Sequence, residues 1–217
     1  IYLNGVLDWE GGKRAQNGGG HLIIGGRNNG ERNYTGLIDE VTVYTEALAA
    51  PEVAALATGG SPIVSLPDED GDGFLDAWEL QYSSNLDDLG STGDVSLLAY
   101  LNFDNQAEDQ SGNGLNGTLN GPAAFSADAE GFSGAAGDYA INLGGVNDKS
   151  AVIIENATLD SALNNNTMAV SFWQNTTQTG NTSSFWIHSP SAGANERGFQ
   201  AHVPWGNGTI YFDQSGC

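Results

Sequence analysis

Residues 35–45 read TGLIDEVTVYT, and the spacing of Val41 and Val43 within that stretch decides the class of fold. The two valines alternate with polar neighbours, the period of two that a strand with one buried face requires. Working outward, HLIIGG (21–26) reads as a buried strand and RNNGERN (27–33) as a loop. The opening IYLNGVL places Asn4-Gly5 between two apolar pairs, a strong signal for a two-residue hairpin. Downstream, EALAAPEVAALATGG (46–60) predicts one short helix, with Pro51 in its first turn, Val53 and Leu56 on one face and Gly59 at its end.

Strand signals return beyond residue 95. VSLLAYLNFD (95–104), YAINLG (139–144), SAVIIE (150–155), MAVSFWQN (168–175), SSFWIHS (183–189), GFQAHV (198–203) and GTIYFD (208–213) all read as strands, and DQSGNGLNG (109–117) as a turn-rich loop. The expectation is an all-β chain of antiparallel sheets, with residues 1–60 and 96–217 separated by a linker at 61–95.

That linker carries DEDGDGFLDAWE, Asp68 to Glu79. Calcium is a hard cation that takes six to eight oxygens, and the twelve-residue loop that binds it supplies them at positions 1, 3, 5, 7, 9 and 12, with glycine at 6. Those positions hold Asp68, Asp70, Asp72, the carbonyl of Phe74, Asp76 and Glu79, with Gly73 at the sharp turn. AWELQY (77–82) has helical composition after the loop, while Pro62 and Pro67 forbid a long entering helix. The motif is therefore half a helix-loop-helix unit and resembles the Asp-rich repeats of dockerins and thrombospondin type 3 segments. A bare solvated acidic linker is the competing reading. At the weak affinities of extracellular modules, about 10⁻⁴ to 10⁻³ M, one ion at a hundredfold saturation stabilises the linker by about 2.7 kcal/mol.

Charge narrows the partners. With 27 acidic and 6 basic residues the chain carries −21, which argues against nucleic acid and anionic membrane surfaces and leaves cations and neutral surfaces. No run of residues is long and apolar enough to predict membrane insertion. The lone Cys217 cannot form an internal disulfide. A chain that opens inside a strand signal and has no starting Met reads as a piece cut from a longer polypeptide.

Read together, these segments resemble the laminin-G-like jelly-roll domains of the concanavalin-A-like lectin/glucanase superfamily. IYLNGVL, LIIGG, GLIDEVTVY and ALAAPEVAAL are similar to the C-terminal part of such a domain. LLAYLNFDNQAEDQSGNGLNGTLNG, YAINLGG, MAVSFWQ and AHVPWGNGTIYFD are similar to the N-terminal part of another. The resemblance implies an antiparallel jelly-roll β-sandwich with a short calcium-binding loop-helix linker, in which the order of the two parts is reversed. Neither part has all the strands of a sandwich, and a half-sandwich leaves edges unpaired and an apolar face wet. The expectation is that the two parts complete one sandwich, within the chain or between neighbouring copies in a tandem array or polymer.

Further implications of the resemblance concern function. A second Ca²⁺ site is expected where first and last strands meet, at Asp39, Asp104, Asp109 and Asn113, with turn building by Asp109 and Asn113 as the alternative. The expected setting is extracellular or at the cell surface, in adhesion or in matrix and filament structure. Catalysis is not expected: the ExDxxE carboxylate arrangement of the glucanases is missing, and Asp39 and Glu40, as strand neighbours, should point to opposite faces. His21, His188 and His202 sit among apolar strand residues and read as structural. The rival function is glycan binding, in which exposed aromatics stack on sugar faces. Trp205 in VPWGNG and Trp9 are its candidates, with Trp173 and Trp186 expected in the core.

Overall fold

The computed structural model describes residues 1–8, 10, 21–27, 32–60, 97–144, 149–155, 168–188 and 197–214. The calcium loop, Asp68 to Glu79, lies outside the described residues, as do Trp9 and Cys217.

The chain opens with a hairpin of β1 (Tyr2–Leu3) and β2 (Val6–Leu7). Its turn is the one the sequence demands: Asn4 and Gly5 both have positive φ, 49° and 76°, the mirror-image turn whose twist matches that of the strands. β3 (His21–Ile24) and β4 (Thr35–Tyr44) follow, then α1 (Ala50–Ala57). Pro51 stands in the first turn of α1, the Glu52 carboxylate accepts the amide of Ala49, and Gly59 at φ 85° ends the helix. Gly5 is seated on this helix: a Cβ there would lie 2.8 Å from the Ala57 Cβ.

After the linker come β5 (Leu97–Leu101), β6 (Thr118–Asn120), β7 (Ala124–Phe125), β8 (Ile141–Gly144) and β9 (Ala151–Glu155). The last four are β10 (Ala169–Asn175), β11 (Phe185–His188), β12 (Arg197–His202) and β13 (Tyr211–Gln214). β6 and β7 lack clear alternation over their two or three residues and had no signal in the sequence.

Besides the β1–β2 hairpin, the described residues form two antiparallel sheets. One runs β13-β12-β11-β3-β9-β6; the other runs β10-β4-β8-β7, with β5 also paired to β4. Strands from before the linker are thus interior to both sheets. β3 lies between β11 and β9, and β4 lies between β10 on one side and β5 and β8 on the other. The core is shared: Leu22, Ile24, Val152, Ile154, Phe185 and Ile187 of the first sheet pack with Ile38, Val41, Val43, Leu101, Ile141 and Leu143 of the second. Burying each such side chain fully is worth about 1.5–3 kcal/mol. β3 is covered on both faces, since Ile23 packs outward with its cross-strand neighbours Trp186 and Ile153. That double coverage is why HLII shows an unbroken apolar run.

β4 carries one irregularity on which the site depends. Against β10, Thr42 pairs with Ser171 and Asp39 with Trp173, so two β4 residues oppose the single Phe172. This is a bulge, and Glu40 within it adopts φ 50°. Ile38, Val41 and Val43 therefore all reach the core, although a spacing of three would put Ile38 and Val41 on opposite faces of a regular strand. On the other edge of β4 the partner changes here, from β8 at Thr35–Ile38 to β5 at Val41–Tyr44.

Candidate functional site

Where β5 and β8 part, Asp39 and Glu40 have no strand partner on that edge among the described residues, and side chains supply what the ladder does not. The Asp39 carboxylate accepts the amide of Phe132 at 2.8 Å and that of Glu40 at 2.9 Å, while the Tyr100 hydroxyl donates to Glu40 at 2.6 Å. Asp39 is fully buried. Burial pushes its carboxyl up to about 8, against the lowering effect of the two amides, with the charges of Glu40 and Asp138 adding to the rise. Glu40 is also raised, chiefly by burial and then by Asp104 and Asp138. The expectation that Asp39 and Glu40 point to opposite faces assumes a regular strand, whereas Glu40 lies in the bulge at φ 50°. The bulge interrupts the alternation on which it rested.

The loop that covers this spot, residues 126–140, is held by its own acids. Asp138 accepts the Gly134 amide at 2.9 Å together with the amide and hydroxyl of Ser133. A Cβ on Gly131 would fall 1.9 Å from an Asp138 oxygen, so only glycine fits there.

Of the four residues expected to bind a second calcium, Asp39 and Asp104 flank Glu40, whereas Asp109 and Asn113 are engaged elsewhere. Asp104 accepts Asn102 Nδ2 at 2.7 Å and the Tyr139 amide at 3.2 Å. Asp109 accepts four hydrogen bonds, each 2.9 Å long, from the amides of Tyr100, Ser111 and Leu115 and the Ser111 hydroxyl. Burial opposes the Asp109 charge, but those donors outweigh it and hold the carboxyl below its ordinary range. Asn113 Nδ2 donates to the carbonyls of Leu97 and Leu98, both at 3.0 Å. These bonds build the 109–115 turn onto β5 and leave Asp109 no open oxygen for an ion. Among the described residues no three His, Cys, Asp or Glu side chains group closely enough to hold a metal. Asp109 and Asn113 thus play the turn-building part that is the alternative to a calcium shell.

A second cluster forms at the end of β12, where Trp205 begins a turn closed by Trp205 N donating to the Thr209 carbonyl at 2.8 Å and Gly208 N to the Trp205 carbonyl at 2.7 Å. Asn207 Nδ2 donates to the Tyr211 hydroxyl at 3.2 Å, and Asn181 accepts the Gly206 amide at 3.1 Å. The Trp205 ring lies 4.5 Å from that of His202 and 6.3 Å, edge on, from that of Tyr211. The Arg32 guanidinium sits 4.6 Å from the Trp205 ring centre, a cation–π distance. Trp205 is half-buried, and Tyr211 presents the freer ring. Arg32 carried no motif in the sequence; only the fold brings position 32 to position 205.

The remaining candidates divide simply. His202 is buried, its Nδ1 donating to the Thr182 carbonyl, which can only accept. His21 lies 3.7 Å from Glu155. Trp186 is buried as expected, and Trp173 is half-buried edge-on to Phe132 at 6.4 Å.

Comparison with known families adds one match. The family model described as the concanavalin A-like lectin/glucanases superfamily matches residues 1–54. It supports a laminin-G-like or lectin-like jelly roll for the part of the chain that supplies β3 and β4. No curated protein matches the chain, and no solved structure does. No helix among the described residues is long and apolar enough to cross a membrane.

Proposed function

We propose that this chain is a non-catalytic, extracellular laminin-G-like module of adhesion, or of matrix or filament structure, acting as one unit of a larger tandem or polymeric protein. The observation that carries this reading is the interleaving of β3 and β4 with strands from beyond residue 96. Pulling the two parts of the chain apart means breaking both sheets and the shared core together, a property suited to a load-bearing unit. The burial of Asp39 supports the non-catalytic reading of the Asp39-Glu40 pair, since Asp39 is sealed from solvent and already bonded by two amides.

The Asp68–Glu79 loop presents an all-oxygen donor set suited to Ca²⁺, with Asp68, Asp70, Asp72, Asp76 and Glu79 as side-chain ligands and Phe74 as a carbonyl ligand. Bound there, the ion would stiffen the connection between the two parts. Limited proteolysis with and without a chelator tests this. Chelation should expose the 61–95 segment to cleavage and leave the sandwich resistant; equal cleavage in both conditions rejects the bound ion.

Glycan binding is the second reading, favoured by the partly exposed Trp205 and Tyr211 beside Asn207. A glycan-array signal lost on Trp205→Ala or Tyr211→Ala would support it. An array without signal, alongside self-association of the chain, returns the reading to a structural module.

A further inference from the structure

Asparagine followed by glycine is a chemically labile pair, because the glycine amide, with no side chain beside it, can close on the asparagine carboxamide. Among the described residues the pair stands at positions 4, 113, 116, 120 and 207. Positions 4, 116 and 120 share the triplet Leu-Asn-Gly, so local sequence assigns them one reactivity. The fold does not.

Ring closure needs a carboxamide that can turn and a glycine amide that can attack. Asn113 Nδ2 donates to the carbonyls of Leu97 and Leu98, and Asn120 Nδ2 donates to that of Lys149 at 2.8 Å, so at both positions the leaving nitrogen is tied down. Asn116 Oδ1 accepts the Asp109 amide at 2.9 Å, while the attacking amide, Gly117 N, donates to the Ala107 carbonyl at 2.7 Å. Asn207 is bonded at both ends of its carboxamide, to Tyr211 and Thr209, and Gly208 N donates to the Trp205 carbonyl. Asn4 differs. It is exposed at the tip of the β1–β2 turn, and among the described residues neither its carboxamide nor the Gly5 amide is hydrogen-bonded. The turn joins a two-stranded sheet, a form marginally stable in water, which opens more easily than the sandwich that carries the other four.

We infer that Asn4-Gly5 is a site of spontaneous modification, at which the chain slowly releases its own hairpin from α1. Gly5 N attacks Asn4 Cγ and a C–N bond forms; the Cγ–Nδ2 bond breaks, the Gly5 amide proton goes to the departing nitrogen, and ammonia leaves a five-membered imide. Water then opens either imide C–N bond, giving aspartate or isoaspartate with no change in oxidation state. Isoaspartate routes the main chain through Cβ and so adds one atom to a turn that is built on two residues at positive φ. The pairing of Leu3 with Val6 is then lost, and Gly5 leaves its seat against Ala54 and Ala57.

Peptide mapping of the full chain, aged at neutral pH and body temperature, tests this. Trypsin cleavage after Lys13 separates Asn4 from every other Asn-Gly pair. Isoaspartate should accumulate at position 4 on the order of tenfold faster than at 113, 116, 120 or 207, the worth of one or two hydrogen bonds. In urea, where the bonds of the fold are gone, the rates at 4, 116 and 120 should converge. Hydrogen exchange at Leu3 and Val6 should quicken as the isoaspartate fraction grows. Asn4→Gly, which suits the same turn and has no carboxamide to react, should age without that change. Equal rates at 4 and 116 in the folded chain overturn the inference. A faster rate at 4 that persists in urea also overturns it, since the cause would then lie in the sequence. Isoaspartate that forms at 4 with exchange at Leu3 and Val6 unaltered rejects the release of the hairpin.

Discussion

Among the described residues no cation pairs with Asp39, and the burial that lifts its carboxyl to about 8 has a thermodynamic consequence. A raised folded-state value means that the fold prefers the neutral acid. Its contribution to stability is full below the ordinary value of 3.8 and is lost as the pH rises through about 8. Urea midpoints at pH 5.5 and pH 8.5 should therefore fall more steeply in wild type than in Asp39→Asn; equal slopes would remove Asp39 as the source. The asparagine can accept through one oxygen only, so the variant should also lose about 1–3 kcal/mol at pH 5.5 by orphaning an amide of Phe132 or Glu40. Asp109→Ala should cost on the order of 2–3 kcal/mol, because it strips the acceptor from three backbone amides. A loss below about 0.5 kcal/mol in thermal or urea unfolding would show that water replaces it.

Among the elements, β4 concentrates the information, and Glu40 is its pivot. A bulge inserts one residue and so changes which face every later side chain meets. Deleting Glu40 alone should expel either Ile38 or the Val41–Val43 pair from the core and prevent folding, whereas Glu40→Gly should fold, since glycine accepts a φ of 50° freely and loses only the Tyr100 bond. Dispersed amide NMR spectra from the deletion variant would contradict this account. The sequence marked β4 as a strand through Val41 and Val43, and it gave the hairpin its turn through Asn4-Gly5. The bulge was not legible, because Asp39-Glu40 has the same composition in a regular strand. β6 and β7 were not legible either, since strands of two or three residues are too short to show a period.

The whole molecule depends on segments far apart in the chain. Cutting the 61–95 linker at an inserted protease site should leave two fragments that migrate together by size exclusion under native conditions and separate in urea. Separation without denaturant would mean that β3 and β4 contribute little to the sheets they enter. Produced singly, each fragment should aggregate, as each presents unpaired strand edges and an uncovered apolar face. The expectation that the two parts complete one sandwich was available from the resemblance, but its outcome was not. Pairing within the chain requires particular registers, such as Ile23 against both Trp186 and Ile153, that no local pattern encodes.

Alternation of apolar residues, Asn-Gly and Gly turns and the Pro-initiated helix at 50–57 determined from sequence alone that this chain forms antiparallel strands and a short helix after them. These features are local, and short-range sterics enforce them. Which strands lie side by side, how deeply Asp39 is enclosed and which cation stands beside Trp205 were decided by tertiary structure. The Phe132 amide reaches Asp39 across 93 positions of chain. Contacts of that kind exist only after the two sheets have closed over a common core.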